Sequence, residues 1–350
     1  MSDDYFKNRN KNNTVRLREL EDELPEFCQE FFVGIESTTT PLTRLNYAYD
    51  LRIFFGFLAG FVRRFRSIPV TSFELSDLQR VTTEDIENFI SYLSFYTVDG
   101  KEYSNDNRGK ARKLSTVRAF FKYFYNKNKL ENDAAAKIKM PKVLEKEIIR
   151  LEVDEVVNLL NTAESGDGLH GRQVAFHERT KLRDTALLTL FLGTGIRISE
   201  CVGLNIDDID FNVNGFTVTR KGGKRTTLYF SDEVAVALKE YLDERLNYEG
   251  VDESERALFL SLQKRRISTR AVQDLVKKYS SIVTPLKKIT PHKLRSTYGT
   301  NLYRQTNDIY MVAEVLGHRD VNTTKKHYAA TSDDIRRQAA RSIILRDSKD

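Results

Sequence analysis

Residues 289–328, ITPHKLRSTYGTNLYRQTNDIYMVAEVLGHRDVNTTKKHY, hold three of the chain's five histidines, His292, His318 and His327, and end on Tyr328. Thr290 as N-cap and Pro291 at the first helical position predict a helix start. His292 and Arg295 then stand at i and i+3 on one face of it. Two such side chains beside the unpaired N–H groups of a helix start suit an anionic oxygen. Ile309, Val312, Ala313, Val315 and Leu316 predict a second helix, which Gly317 stops in a C-terminal cap, with His318 following at once. Asn322-Thr323-Thr324 restarts a helix that carries Tyr328. Three helix ends thus offer a histidine, an arginine, a second histidine and a tyrosine. Spacing alone leaves open whether they converge, because a lone HxxR also fits a solvated face and a lone tyrosine also fits packing.

A second chemistry-bearing stretch is RDTALLTLFLGTGIRISECVGLNIDDIDF, residues 183–211. Its apolar helix ends at Gly193, and Thr194-Gly195-Ile196 turns the chain into Arg197 at the head of a new helix, with Glu200 three residues on. Such an arginine can grasp a phosphate with the glutamate beside it, and the two can equally form a structural ion pair. GFTVTRKGGKRTTLYF (215–230) alternates as a β-hairpin with Gly222-Gly223 at the turn, Phe216 and Val218 on one arm and Leu228 and Phe230 on the other. Lys221 sits at the turn's edge, where a lysine is also a common solubility device, and Lys224 is its near neighbour.

HKLR at 292–295, LGHRD at 316–320, TTKKHY at 323–328, TGIRISE at 194–200 and RKGGKR at 220–225 together resemble the motifs of the tyrosine recombinases, the phage-integrase and Xer family. The match runs over nearly the whole chain and includes, in order, Arg197, Lys221, His292, Arg295, His318 and Tyr328. The resemblance implies that Tyr328 attacks a DNA phosphorus and becomes linked to the 3′ end. Arg197 and Arg295 would stabilise the non-bridging oxygens, His292 and His318 would add hydrogen bonds and help move the tyrosine's proton, and Lys221 would protonate the departing 5′ oxygen. Glu200 would orient Arg197 or a histidine. No cofactor, ATP or metal is implied. One departure is the ten-residue step from His318 to Tyr328, one longer than in many members, which would put His327 in the nucleophile's place. A histidine cannot make the stable phosphotyrosine ester, so one extra residue in the turn is the simpler explanation. Tyr298 and Tyr310, read as lying on apolar helix faces, are the next candidates.

The elements that must hold these groups follow from composition and periodicity. The chain has 350 residues, 40% apolar and 30% charged, long enough for two cores. Lys and Arg number 56 against 50 Asp and Glu, a surplus that permits nucleic acid as partner without demanding it. Two cysteines in 350 residues argue against a disulfide framework. With no apolar run of about 20 residues and no signal-peptide core, the chain reads as cytoplasmic, without membrane insertion.

The expected fold is mainly α. A flexible N-terminus, 1–14, precedes a four-helix domain, 15–136, that resembles the family's core-binding, SAM-like DNA clamp. A linker at 137–149 leads to an α-rich catalytic domain with a small antiparallel sheet at 150–332, and a tail helix spans 333–350. Helical patterns cover Arg16–Ile35, the stretch after Thr40-Pro41, 81–96 with Thr83 as cap, and 115–130 after a polar loop. Arg44, Lys110, Arg112, Lys113, Arg118, Lys122, Lys139 and Lys142 are candidate phosphate contacts, though the aromatics among them also read as core and the bases as solvation. The long polar connection 166–184 reads as loop surface at His170 and His177 rather than a metal site, and its wording resembles the Xer recombinases that work alone in streptococci. In such a family the partner would be double-stranded DNA with an inverted-repeat, dif-like site. A homo-tetramer would form on synapsed DNA through the tail, which could instead pack at home, and a septal DNA translocase of the FtsK type would activate it. The same chemistry also fits the integrase of a phage or transposon and, less well, a type IB topoisomerase.

Overall fold

The computed structural model describes residues 3–144, 148–220, 225–317 and 320–328, with Asp3, Asp4, Thr323 and residues 326–328 described by their backbone alone. The chain divides into two compact units, Asp4–Lys146 and the part from Glu147 onward.

In the first unit, α1 (Asp3–Glu21) and α2 (Phe27–Gly34) replace the single pattern expected over Arg16–Ile35. The break falls at Pro25, which lacks an N–H and disfavours a helical residue before it. The helix also begins at Asp3 rather than near Val15. Next, α3 (Pro41–Phe61) starts as expected, with Thr40 Oγ1 accepting from the Thr43 N–H. It is followed by the short α4 (Leu75–Gln79) and by α5 (Thr83–Tyr92), whose cap is Thr82, not Thr83: Thr82 and Asp85 exchange side-chain and backbone bonds. The helix stops at Tyr92 because a hairpin follows, β1 (Tyr96–Val98) and β2 (Lys101–Tyr103), turned by Asp99 and Gly100, both at positive φ. The last helix, α6 (Asn107–Asn126), starts eight residues before the expected 115, capped by Asp106, whose Oδ1 accepts from the Gly109 N–H at 3.0 Å.

The aromatics of α6 form the core of this unit. Phe120, Phe121 and Phe124 are buried with Phe31, Phe54, Phe55 and Phe89, in edge-to-face pairs such as Phe31–Phe120 at 5.1 Å and Phe54–Phe89 at 5.1 Å between centroids. Several of the candidate phosphate-contact bases have partners within the unit. Arg44 is buried and paired with Glu36 at 3.0 Å, and buried Lys113 donates to Asn105 Oδ1 at 2.9 Å. Arg118 donates to the carbonyls of Ala135, Ala136 and Ile138, tying the end of the unit to α6. Arg112 holds the buried Asp50 carboxylate through both terminal nitrogens, at 2.6 and 2.7 Å, with Thr116 Oγ1 adding a third bond at 2.8 Å. Lys110 donates to Ser94 Oγ, while Lys122, Lys139 and Lys142 are exposed.

The second unit is built round α9 (Lys181–Thr194), which is buried along almost its whole length. Before it come α7 (Val153–Ser165) and α8 (Arg172–His177), and after it α10 (Ile198–Gly203). A three-stranded antiparallel sheet follows, β3 (Ile209–Asp210), β4 (Gly215–Thr219) and β5 (Arg225–Tyr229), with Phe216 opposite Leu228. Then come α11 (Asp232–Leu246), α12 (Thr269–Val283), α13 (Pro291–Thr306), α14 (Ile309–Leu316) and α15 (Val321–Tyr328). Helices α7, α11 and α13 pack on α9.

The connection before α9 is not plain loop surface. His177 ends α8 and is buried, its Nδ1 3.2 Å from Tyr279 Oη, which in turn donates to buried Asp184 at 2.9 Å. Arg183 and Lys278 complete the shell of that carboxylate. Among the described residues no helix is long and apolar enough to cross a membrane. The tail expected at 333–350 lies outside the described residues.

Because Asp50 is buried and Arg112 supplies two of its bonds, Arg112→Ala should destabilise the first unit by about 2 kcal/mol. The readout is the urea midpoint of the full chain. An unchanged midpoint with weakened DNA binding would make Arg112 a phosphate contact rather than a support of the unit.

Candidate active site

The site gathers at the C-terminal end of α14. A helix end leaves its last carbonyls without intrahelical partners and is the negative pole of the helix dipole. Here guanidiniums from three places meet them. Arg197, the N-cap of α10, donates from Nη2 to the carbonyls of Leu316 and Gly317 at 3.1 and 3.0 Å. Arg295, in the first turns of α13 and buried, donates to the Leu316 carbonyl and to that of Gly195. Arg220, at the end of β4, donates to the carbonyls of Glu314 and Val315 at 3.2 and 2.7 Å.

The backbone is shaped to allow this. Gly195 caps α9 at φ +61°, and a Cβ there would run into Tyr298 and Leu316. Its bare backbone lets its carbonyl reach Arg295. Gly317 caps α14 at φ +60°, with the Arg220 guanidinium lying where a Cβ would project. The start of α13 is held by Thr290 and Pro291 as cap and first residue, and by Thr297 Oγ1, which accepts from the Leu151 N–H at 3.0 Å.

Glu200 is buried and organises the cluster electrostatically. Its Oε1 is 2.8 Å from Arg197 Nη1 and 3.8 Å from Arg220 Nε, and its Oε2 accepts from the Arg197 N–H at 3.1 Å. Burial pushes the Arg220 guanidinium below its ordinary value, the Glu200 charge raises it, and the Arg197 charge lowers it. Cys201, next to Glu200, is wholly buried and its thiol is pushed up by burial. Three cations against one carboxylate leave a positive surplus.

Arg197, Glu200 and Arg295 therefore come together, and His292 lies exposed on α13, one turn before Arg295. Lys221, His318 and the Tyr328 side chain fall outside the described residues; the α15 backbone reaches Tyr328. Tyr298 is packed against Val312 and Leu316 and its phenol is raised by burial, whereas Tyr310 is 71% exposed rather than on an apolar face. Arg220 was not singled out from the sequence: it stands beside two lysines in RKGGKR, and only the fold distinguishes it. Among the described residues no group of His, Cys, Asp and Glu could hold a metal ion.

The phage integrase family model matches residues 149–334, which contain every one of these positions. The chain belongs to the phage integrase family of tyrosine recombinases. Tyrosine recombinase XerC of Caldanaerobacter subterraneus subsp. tengcongensis is 36% identical over 311 residues, 86% of this chain and 82% of that protein. Tyrosine recombinase XerS of Streptococcus agalactiae is 29% identical over 345 residues, 91% of this chain and 96% of that one. In fold, the chain is similar to the XerH site-specific recombinase bound to a palindromic difH substrate, with TM-score 0.64 and 21% identity, covering 87% of this chain and 80% of that one. This is an Xer-type, site-specific recombinase that cleaves and rejoins DNA.

Glu200→Gln keeps the shape of the acceptor and removes its charge. Cleavage should slow about 10-fold, the loss of one charge-assisted bond's advantage. Single-turnover cleavage of a nicked DNA measures it, and an unchanged rate would mean that the α14 carbonyls alone fix Arg197.

Proposed function

We propose that this recombinase resolves chromosome dimers in the cytoplasm, acting as a tetramer on an inverted-repeat, dif-like site, with Tyr328 as nucleophile. The observation that carries the chemistry is the pair of guanidiniums, Arg197 and Arg295, sharing the Leu316 carbonyl just before His318 and the helix that ends on Tyr328. A phosphodiester gains negative charge in its transition state, and a fixed cationic pair stabilises that charge without reorganising.

In this reading the Tyr328 oxygen attacks phosphorus while the bond to the 5′ oxygen breaks. His292 and His318 hydrogen-bond the phosphate and take up the phenolic proton, and Lys221 gives a proton to the 5′ oxygen. The 3′-phosphotyrosine ester keeps the bond energy, so the 5′ hydroxyl of a partner strand can reverse the step without ATP. Burial of Tyr298, which raises its phenol, supports Tyr328 over that alternative. The near-full-length similarity to XerC and XerS supports the chromosomal role over integration. Among the candidate bases of the first unit, Lys122, Lys139 and Lys142 are exposed and can meet phosphates. A septal DNA translocase would be the activator.

The test is a nicked suicide DNA from the host's dif-like region, incubated with wild type and Tyr328→Phe. Expected are a covalent protein–DNA band with wild type and none with the variant. A band that survives the substitution moves the nucleophile to another tyrosine. A band only on a mobile-element end replaces dimer resolution with integration.

A further inference from the structure

Helix α13 presents Arg295 to the site on one face and is braced on another. Arg295 and Thr297 are two residues apart, about 200° round the helix, so they point in nearly opposite directions. Forward, Arg295 donates to the carbonyls of Gly195 and Leu316. Behind, the fully buried Thr297 meets the chain that leads into α7. Its Oγ1 accepts from the Leu151 N–H at 3.0 Å and donates to the Lys293 carbonyl at 3.0 Å, which fixes the direction of the hydroxyl. Arg304, two turns along the same face, donates to Glu152 Oε2 at 3.3 Å. Just before α13, Lys287 Nζ donates to the Glu155 carboxylate at 2.6 and 2.7 Å and to the Arg150 carbonyl at 3.3 Å. Residues 150–155 therefore grip α13 and the loop before it from the side opposite Arg295.

We propose that Thr297 is a positioning residue for Arg295: through its hydroxyl the start of α7 braces α13 and so sets how far Arg295 reaches into the phosphate cleft. The Leu151 N–H is buried, and an unpaired buried amide is costly enough to shift the backbone around it. The carbonyls that Arg295 meets belong to the ends of α9 and α14, which do not move with α13. A small displacement of α13 thus changes the fit of the guanidinium to carbonyl and phosphate together, and such misplacement is costly in rate. The inference rests on Arg295 stabilising the scissile phosphate, as proposed above.

A double-mutant cycle in the full chain separates this role from a general structural one. The readouts are single-turnover cleavage of nicked DNA at saturating protein and DNA affinity. Thr297→Val keeps the shape and removes the acceptor; it should slow cleavage about 10-fold, the rate equivalent of one hydrogen bond, with affinity unchanged. Thr297→Ser keeps the hydroxyl and should cleave close to the wild-type rate. Arg295→Lys keeps the charge but loses the planar fork, and should be slow by itself. In that background Thr297→Val should add almost nothing, because the register of a missing fork no longer matters. Should Thr297→Val prove unfolded in a melting curve, Thr297→Cys, whose sulfur accepts only weakly, takes its place and is read the same way. If the Thr297 variant costs as much beside Arg295→Lys as alone, it acts on the fold rather than through Arg295 and the proposal falls. It falls equally if Thr297→Ser is as slow as Thr297→Val, if affinity is lost in place of rate, or if Thr297→Val cleaves at the wild-type rate. Should Arg295→Lys alone match wild type, Arg295 is not on the phosphate, and the proposal falls together with that part of the functional reading.

Discussion

The unpaired carbonyls at the end of one eight-residue helix, α14, are the point on which the catalytic unit is assembled. Isolated, such an end would be solvated or closed by a single glycine cap. Here Gly317 makes the turn but the carbonyls before it go to arginines from α10, α13 and β4. Elements far apart in sequence are thereby registered to one another through oxygen atoms fixed by a helix, a stiffer support than side chains of loops. The arrangement also answers how like charges can be kept close. Each guanidinium faces the negative pole of a helix, and buried Glu200 stands among them. The Arg220 and Arg295 side chains are buried, whereas Arg197 keeps 36% of its side chain open to solvent.

What lies behind this layer is dry and closely packed. Helix α9 runs through the middle of the unit with buried leucines on all sides, and its capping residue, Gly195, turns directly into the site and lends its carbonyl to Arg295. A second buried polar cluster, Asp184 with Arg183, Lys278, Tyr279 and His177, anchors the other end of α9 to α12. Both ends of the central helix are thus fixed by charge-assisted bonds rather than by apolar contact alone.

Much of this was legible in the residues and some was not, for physical reasons. Helix α14 and its Gly317 cap, the Thr290-Pro291 start of α13 and the β4–β5 pairing were readable because each rests on local rules of periodicity, capping and alternation. The misread boundaries are also local, and their signals were present: Pro25 breaks the first helix, and Asp99-Gly100 makes a two-residue turn. What could not be read is which charged residues face inward. Arg44, Lys113 and His177 carry the same side chains as any surface residue, and only tertiary partners, Glu36, Asn105 and Tyr279, decide their burial. Arg220 is the clearest case. Next to Lys221 in a basic hairpin, its difference from its neighbours lies wholly in the carbonyls of a helix that follows in the chain some ninety residues later.

The Leu316 carbonyl, shared by Arg197 and Arg295, has a bearing on how such a site can change over generations. Two residues that divide one acceptor are energetically coupled, so replacing either alters what the other can do. The loss from removing both should be smaller than the product of the separate losses. A lineage that drifts at one of these positions therefore changes the cost of drifting at the other. Sequence variation at Arg197, Arg295 and Gly317 would then be epistatic, moving together or not at all.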